Sequence, residues 1–355
     1  MSIRVDIEKR LGDFTLKTAF EAGDEVLALL GASGSGKSMT LRCVAGIVKP
    51  DRGHIEVDGV TLFDSERHID LTPQQRRTGL MFQNYALFPN MTVRQNILAG
   101  ARREGKRDIA QAQALMERFG LAPLAGRYPS QISGGQQQRT ALARMLVSGP
   151  RVLLLDEPFS ALDSHLRFRL ERDMQQVMRE FGKTVLLVSH DRDEVFRLAD
   201  SIVIIENGRV EAAGAKHAIF RDPKTVAGAR LTGCKFISRA EKGDGRRIYA
   251  SDWGVELALD RDPEGFTAVG MRMHSVRFGD GENAVRCAVA GVIENPFDYT
   301  ILLRPAGRPD ATAFGWTAGK DEWAALQGAQ ELTVHMPAAE LLLLKGEENA
   351  NGNGL

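Results

Sequence analysis

The stretch that most limits how this chain can fold is Gly31-Ala32-Ser33-Gly34-Ser35-Gly36-Lys37-Ser38. It fits G-x-x-x-x-G-K-[ST], the P-loop whose backbone amides cradle phosphate. Val26 to Leu30 before it is an unbroken apolar run, as expected of a strand buried on both faces. Lys37 to Gly46 after it reads as a helix, with Met39 in its first turn. A strand, a glycine-rich turn and a helix start together aim N–H groups and a helix dipole at an anion. The alternative is a glycine-rich turn that matches by chance, which that context disfavours.

The flanking sequence reads as strands alternating with helices. Arg4 to Phe20 gives two strands around Gly12-Asp13. Gly53 to Gly59 gives a strand, and Thr78 to Phe82 a short apolar one ending at Gln83. Asn84 to Ile132 looks helical and amphipathic, most clearly over Asp108 to Phe119, and suggests a helical subdomain at about 84–134. Gly135 to Val147 reads as a helix, Val152 to Leu155 as a buried strand and Ser164 to Phe181 as a long helix. Thr184 to Val188 is another buried strand, and Asp191 to Leu198 is helical. Ile202 to Ile205 and Arg209 to Ala212 flank Asn207-Gly208, a strong hairpin signal. The alternation predicts an α/β fold with a mostly parallel sheet covered on both faces.

Beyond about Thr232 the pattern shifts. Arg247 to Ser251, Gly254 to Leu259, Phe266 to Met273, Ala284 to Val292, Tyr299 to Arg304 and Glu331 to His335 are short, strand-like and punctuated by turn residues. They predict a small all-β domain, read as a barrel. The chain of 355 residues exceeds the usual single-domain size. It divides into an α/β domain at 1–232, an all-β domain at 233–345 and a disordered tail at 346–355, rich in Gly, Asn and Glu.

Composition excludes some roles. Lys+Arg and Asp+Glu are both 46, which argues against extended nucleic-acid binding. Cys43, Cys234 and Cys287 form no C-x-x-C pattern and read as free thiols in a reducing cytoplasm. The N-terminus is charged at once, unlike a signal peptide, and no apolar run nears the ~20 residues needed to span a bilayer. Any membrane role is expected to come through a partner.

A phosphate-binding loop needs a second element to support magnesium. Val152-Leu153-Leu154-Leu155-Asp156-Glu157 is an apolar strand that delivers two carboxylates at its end. Asp156 would support Mg²⁺ together with the Ser38 hydroxyl. Glu157 is suited to polarise an attacking water. A glycosidase-like pair fails on geometry, because consecutive strand residues point to opposite faces. Ser133-Gly134-Gly135-Gln136 opens a helix and offers a second anion-binding helix end, or simply an N-cap. Two such ends for one triphosphate make sense if two copies pair head to tail.

With these residues in hand, the chain resembles the ATPase subunits of ABC transporters. Ile132-Ser133-Gly134-Gly135-Gln136 matches that family's signature, with Ile where Leu is usual. Gln83 sits at the Q-loop position, Ser160-Ala161-Leu162-Asp163 at the D-loop and His190 at the switch histidine, all in family order across about 1–230. The resemblance implies a P-loop ABC-type domain with a helical subdomain and a C-terminal OB/TOBE-like domain, binding ATP and Mg²⁺. It implies that Lys37 holds the β- and γ-phosphates and that Gln83 contacts Mg²⁺ and water. It implies that His190 orients the γ-phosphate, and that Ser133 and Gly135 reach the nucleotide of the opposite subunit. Asp163 would lie at the dimer seam. Without the other motifs, a surface glutamine, a strand-end histidine and a helix N-cap would serve equally for Gln83, His190 and Asp163.

The family's usual aromatic platform for adenine is replaced here by Leu11. Phe14 is near enough to substitute, and fits ordinary core equally well. Gln83 to Val93 looks like the bacterial importer type, where this region receives an integral membrane permease. Tyr85, Leu87 and Phe88 are expected to be exposed there, or else to pack internally. Val292 to Pro305 and Leu341 to Lys345 look most like subunits for molybdate or sulfate import. The expected setting is a homodimer on the cytoplasmic face of the inner membrane, serving a solute-binding protein indirectly. Tungstate, iron, polyamine and sugar import are alternatives, as are a soluble non-transport ABC protein and a ligand-sensing regulatory subunit.

Overall fold

The computed structural model describes residues 2–101, 106–160, 164–326 and 328–346. Contacts divide the chain into two units, Met1–Lys216 and His217–Leu355. The strands of the first are β1 (Ile3–Leu11), β2 (Phe14–Ala22), β3 (Val26–Leu30), β4 (Arg52–Val57), β5 (Val60–Asp64) and β6 (Ile69–Asp70). They continue as β7 (Thr78–Met81), β8 (Val152–Asp156), β9 (Val185–Ser189), β10 (Ser201–Glu206) and β11 (Arg209–Ala215). The helices are α1 (Lys37–Ala45), α2 (Pro73–Arg76), α3 (Val93–Leu98), α4 (Lys106–Arg118), α5 (Gly134–Val147), α6 (Ser164–Phe181) and α7 (Arg192–Leu198).

Among the described residues these strands form one 11-stranded sheet, in the order β6-β5-β4-β1-β2-β11-β10-β3-β9-β8-β7. Strands β10, β3, β9, β8 and β7 are mutually parallel, as the apolar runs predict. Strands β6, β5, β4, β1 and β2 are antiparallel, so the expectation of a mostly parallel sheet holds for one section only. The reason is loop length. Links as short as Gly12-Asp13 and Asp58-Gly59 cannot make the crossover that parallel pairing requires.

The parallel strands feed two cores. Val152 and Leu154 of β8, with Leu186 and Val188 of β9, pack on Leu41 and Val44 of α1. Leu153, Leu155, Val185 and Leu187 point the other way, towards Leu170, Met174 and Val177 of α6. That second core continues through Val93 and Ile97 of α3, Leu115 and Met116 of α4, and Leu142 of α5. Residues 84–92, expected to be helical, instead form a loop, in which Tyr85 and Ala86 take φ of 59° and 44°.

The second unit is all-β apart from short helices. Its strands are β12 (Phe236–Lys242), β13 (Arg247–Ala250), β14 (Val255–Ala258), β15 (Ala268–Met271), β16 (Arg277–Phe278), β17 (Val285–Glu294), β18 (Asp298–Pro305), β19 (Phe314–Gly319), β20 (Glu331–His335) and β21 (Leu342–Leu344). They form two 5-stranded sheets, β14-β13-β12-β15-β21 and β16-β20-β17-β18-β19, around a core that includes Trp253, Phe314 and Trp316. The helices α8 (Lys216–Arg221) and α9 (Val226–Leu231) precede them. Val226 and Ala229 pack with Cys234, Ile237, Ala268, Leu342 and Leu344, and the Val226 N–H donates to the Lys345 carbonyl at 3.0 Å. Sequence alone puts the boundary at 232, whereas these contacts put α9 with the second unit. Residues 347–355 of the expected tail lie outside the described residues. All three cysteines are buried and unpaired, and burial pushes Cys287 up to about 12.

Candidate active site

Strands β3, β9, β8 and β7 lie side by side, and the pairs Leu30–Ser189, Val188–Asp156 and Leu155–Met81 bring their C-terminal ends level. This edge is where open α/β sheets hold ligands. The loop after β3 is the P-loop. Gly34 and Gly36 take φ of 81° and 106°, a region that favours glycine. A Cβ at Gly31 would stand 2.2 Å from the Ile205 carbonyl oxygen. Lys37 Nζ donates to the carbonyls of Gly31 at 2.8 Å and Ala32 at 2.7 Å. Burial lowers the Lys37 pKa, and the Glu157 and Asp156 carboxylates oppose that shift. Ala32, Ser33 and Gly34 are exposed, while Ser35 is buried. Met39 is partly buried against the α1 core.

Asp156 closes β8, and Glu157 follows it just outside the strand. Asp156 is buried and accepts from Ser38 Oγ at 2.6 Å. Burial raises its pKa, and the Ser38 hydrogen bond works against that rise. Glu157 takes φ 46° just before Pro158, whose ring disfavours the right-handed helical region there. Such a conformation in a non-glycine residue costs about 1–3 kcal/mol and is concentrated at functional sites. It is held by the Glu157 N–H donating to the Val188 carbonyl and by Ser160 Oγ donating to the Glu157 carbonyl, both at 3.0 Å. The carboxylate stands between two partners. His190 Nδ1 lies 3.1 Å from Oε1, and Gln83 Nε2 donates to Oε2 at 3.4 Å.

The fold thus brings Gly31 to Met39, Gln83, Asp156, Glu157 and His190 to one edge. Ser133, Gly134, Gly135 and Gln136 stand apart from them in hydrogen bonding. Ser133 caps α5 by a reciprocal bond with Gln136, and Ser133 and Gly134 are exposed. Asp163, with Ala161 and Leu162, lies outside the described residues. Leu11 is exposed and pairs with Phe14 across the β1–β2 turn. Phe14 abuts the P-loop, its Cζ 3.5 Å from where a Cβ on Gly36 would sit.

The loop after Gln83 divides the three apolar residues between the two alternatives. Tyr85 is buried, because positive φ at Tyr85 and Ala86 turns the chain inward, and its hydroxyl donates to the Pro158 carbonyl at 3.5 Å. Leu87 is half-buried, and Phe88 alone of the three stays open. Three polar residues not singled out from sequence hold this region. Asn96 is fully buried; its Nδ2 donates to the carbonyls of Phe88, Met91 and Thr92, and its Oδ1 accepts from the Phe88 N–H. Arg144 donates to the carbonyls of Tyr85 and Ala86, each at 2.8 Å. Gln138 Nε2 donates to the Pro158 carbonyl at 3.1 Å. The available signal was a polar residue on an apolar helix stripe, as with Asn96 between Val93 and Ile97.

A family profile described as ABC transporter matches residues 16–160. A molybdenum import ATP-binding protein of Paramagnetospirillum magneticum is 41% identical over 277 residues, 76% of this chain and 76% of the relative. The chain belongs to the ABC transporter ATPases. A sulfate/thiosulfate import ATP-binding protein of Chromobacterium violaceum is 36% identical to this ABC ATPase over 337 residues, 91% of this chain and 88% of the relative. Among solved structures it is similar to the dimeric ATP-binding cassette MJ0796 in a post-hydrolysis state with ADP and Pi. That match has a TM-score of 0.51 and 28% identity, over 61% of this chain and 99% of that one. The first unit is therefore an ATP-hydrolysing ABC domain, followed by a TOBE-like all-β region. No helix among the described residues is long and apolar enough to cross a membrane.

Proposed function

We propose that this ABC ATPase works as a head-to-tail pair of copies that powers an inner-membrane importer for an oxyanion, molybdate first. The observation that carries the catalytic half is the Glu157 carboxylate, set between Gln83 and His190. Lys37 and the amides of residues 31–38 would grip the β- and γ-phosphates. Glu157 would act as general base towards water, and His190 would orient that water and the γ-phosphate. Gln83 would sense occupancy and carry it to the membrane partner.

Magnesium fits the Ser38–Asp156 pair. A hydroxyl and a carboxylate, both hard oxygen donors, already stand within hydrogen-bond distance, and Gln83 would complete the protein's share. Among the described residues no group of three or more His, Cys, Asp or Glu could hold a metal, which suits an ion bound largely through phosphate and water. The ion would neutralise charge on the phosphates.

The start of α5, where Ser133 and Gly134 are exposed and Gly135 and Gln136 lie behind them, would contact the γ-phosphate held by the other copy, and Asp163 would lie at the seam. The dimeric form of the solved relative supports this pairing. Leu11 and Phe14 would form the platform under adenine. The loop from Gln83 to Pro89, with open Phe88, would receive the permease at the cytoplasmic face. A solute-binding protein would act through that permease, and no nucleic acid would take part. Sulfate is the second reading, favoured by a relative of that name aligned over 91% of the chain.

The test is reconstitution with the cognate permease and binding protein, measuring ATP hydrolysis with molybdate, tungstate, sulfate, spermidine or maltose. Stimulation by molybdate or sulfate is expected. Stimulation by spermidine or maltose alone would remove the oxyanion assignment.

A further inference from the structure

The joint His190–Asp191, between β9 and α7, is built from polar groups that the reading above leaves unused. Asp191 caps α7, its Oδ1 accepting from the N–H groups of Asp193 at 2.9 Å and Glu194 at 3.1 Å. Its Oδ2 accepts from Arg167 Nη1 of α6 at 3.1 Å. Its own N–H donates to Ser189 Oγ at 3.0 Å. The Ser189 hydroxyl faces the Glu194 carboxyl and works against the rise that burial gives its pKa. The two residues that flank His190 are therefore tied to each other, and Asp191 is tied to Arg167 and to the Glu194 N–H.

Two atoms of this cluster are buried without a hydrogen-bond partner among the described residues: Arg167 Nε and Glu194 Oε1. One is a donor on a cation and the other an acceptor on an acid which that cation influences. Buried orphans of this kind are uncommon and call for an explanation. Around Glu194 stand Asp191 and Ser189 at the joint, and Arg167 and Glu171 on α6. Arg197 of α7 is already committed to Glu171 through bonds of 2.7 and 2.9 Å. The neighbouring strand β3 is wholly apolar. Burial, with Asp191 and Glu171 adding to it, pushes Glu194 up to about 8, so it carries its proton at neutral pH.

We propose that Glu194 and Arg167 are positioning residues for ATP hydrolysis: Glu194 holds Ser189, Arg167 holds Asp191, and together they fix the His190 imidazole against Glu157. This rests on the reading of His190 and Glu157 as catalytic residues. Ionised, Glu194 would draw the Arg167 guanidinium away from Asp191 and loosen the joint. Hydrolysis is then supported while Glu194 is protonated and declines as pH rises through about 8.

The test is kcat and KM for ATP in the full chain from about pH 6.5 to 9.5, for wild type, E194Q, E194A, R167M, R167K and H190A. Expected is a fall in wild-type kcat through that window which E194Q, neutral throughout, does not show. E194A and R167M should lower kcat by about tenfold or more with KM for ATP within about twofold, as neither residue would touch the nucleotide. R167K should recover part of the loss. Superimposable pH profiles for wild type and E194Q, or wild-type kcat in R167M, would overturn the proposal while H190A remains inactive. Full turnover in H190A would overturn the catalytic reading and this inference with it.

Discussion

The chemistry proposed for the site is concentrated in Glu157, which the backbone holds at a positive φ. Glu157→Gln keeps the shape and removes the proposed base. It should still bind ATP, lose turnover by about 10²–10⁴-fold and accumulate closed dimers. Nucleotide binding, single-turnover hydrolysis and sedimentation check this, and wild-type turnover would remove Glu157 from the role. Glu194 makes a separate prediction about stability. Its pKa is about 8 in the folded chain against an ordinary 4.5, so its contribution is complete below the lower value and is lost as pH rises through about 8. Melting temperatures of wild type should fall, relative to E194Q, across that interval; parallel curves would contradict it. At this scale sequence was most informative where a motif dictates geometry. Lys37, Ser38 and Asp156 meet as G-x-x-x-x-G-K-S and an apolar strand ending in Asp imply. For Tyr85 sequence left exposure and internal packing both open, because nothing in its side chain announces a positive φ. Asn96, Arg144 and Glu194 were missed because a polar residue in a helix looks like surface until its partners are known.

At the level of elements, the loop from 82 to 92 is ordered from behind by α3 and α5. Asn96→Ala would take the side-chain partner from the Met91 carbonyl and the Phe88 N–H, while the Phe88 and Thr92 carbonyls keep the backbone N–H groups of Met91 and residue 96. Given the cost of groups left unpaired, a loss of about 2–4 kcal/mol is expected in urea unfolding, with faster proteolysis near Phe88. A change under about 0.5 kcal/mol would mean that the loop is held by something else. The buried strands and long helices could be read because apolar runs and helical periods are local signals. The antiparallel wing was partly hidden, since pairing direction depends on turn length as well as strand composition. β12 reads Phe-Ile-Ser-Arg-Ala-Glu-Lys, apolar at one end only, and β19 carries two glycines, so neither announced itself.

For the whole molecule, the question is whether one copy can complete its own site. The exposed Ser133 on α5 makes no hydrogen bond to the P-loop residues, so Ser133→Arg should abolish hydrolysis while the monomer still binds nucleotide. Unaffected hydrolysis, measured beside an intact binding isotherm, would remove the composite-site model. The division into an α/β unit and an all-β unit followed from a change of pattern along the chain. Its position was less legible, because α8 and α9 continue the helical look of the first unit while α9 packs with strands of the second. Strand β8 has a further consequence. It sends alternate side chains into two cores and then ends at Asp156, with Glu157 next in the chain. Losing or gaining one residue within it would misdirect both carboxylates, and would also exchange the apolar side chains owed to each core. Such a chain would fail to fold before it could bind ATP to no purpose. The hydrophobic interior thus proofreads the spacing of the carboxylates at the end of the strand.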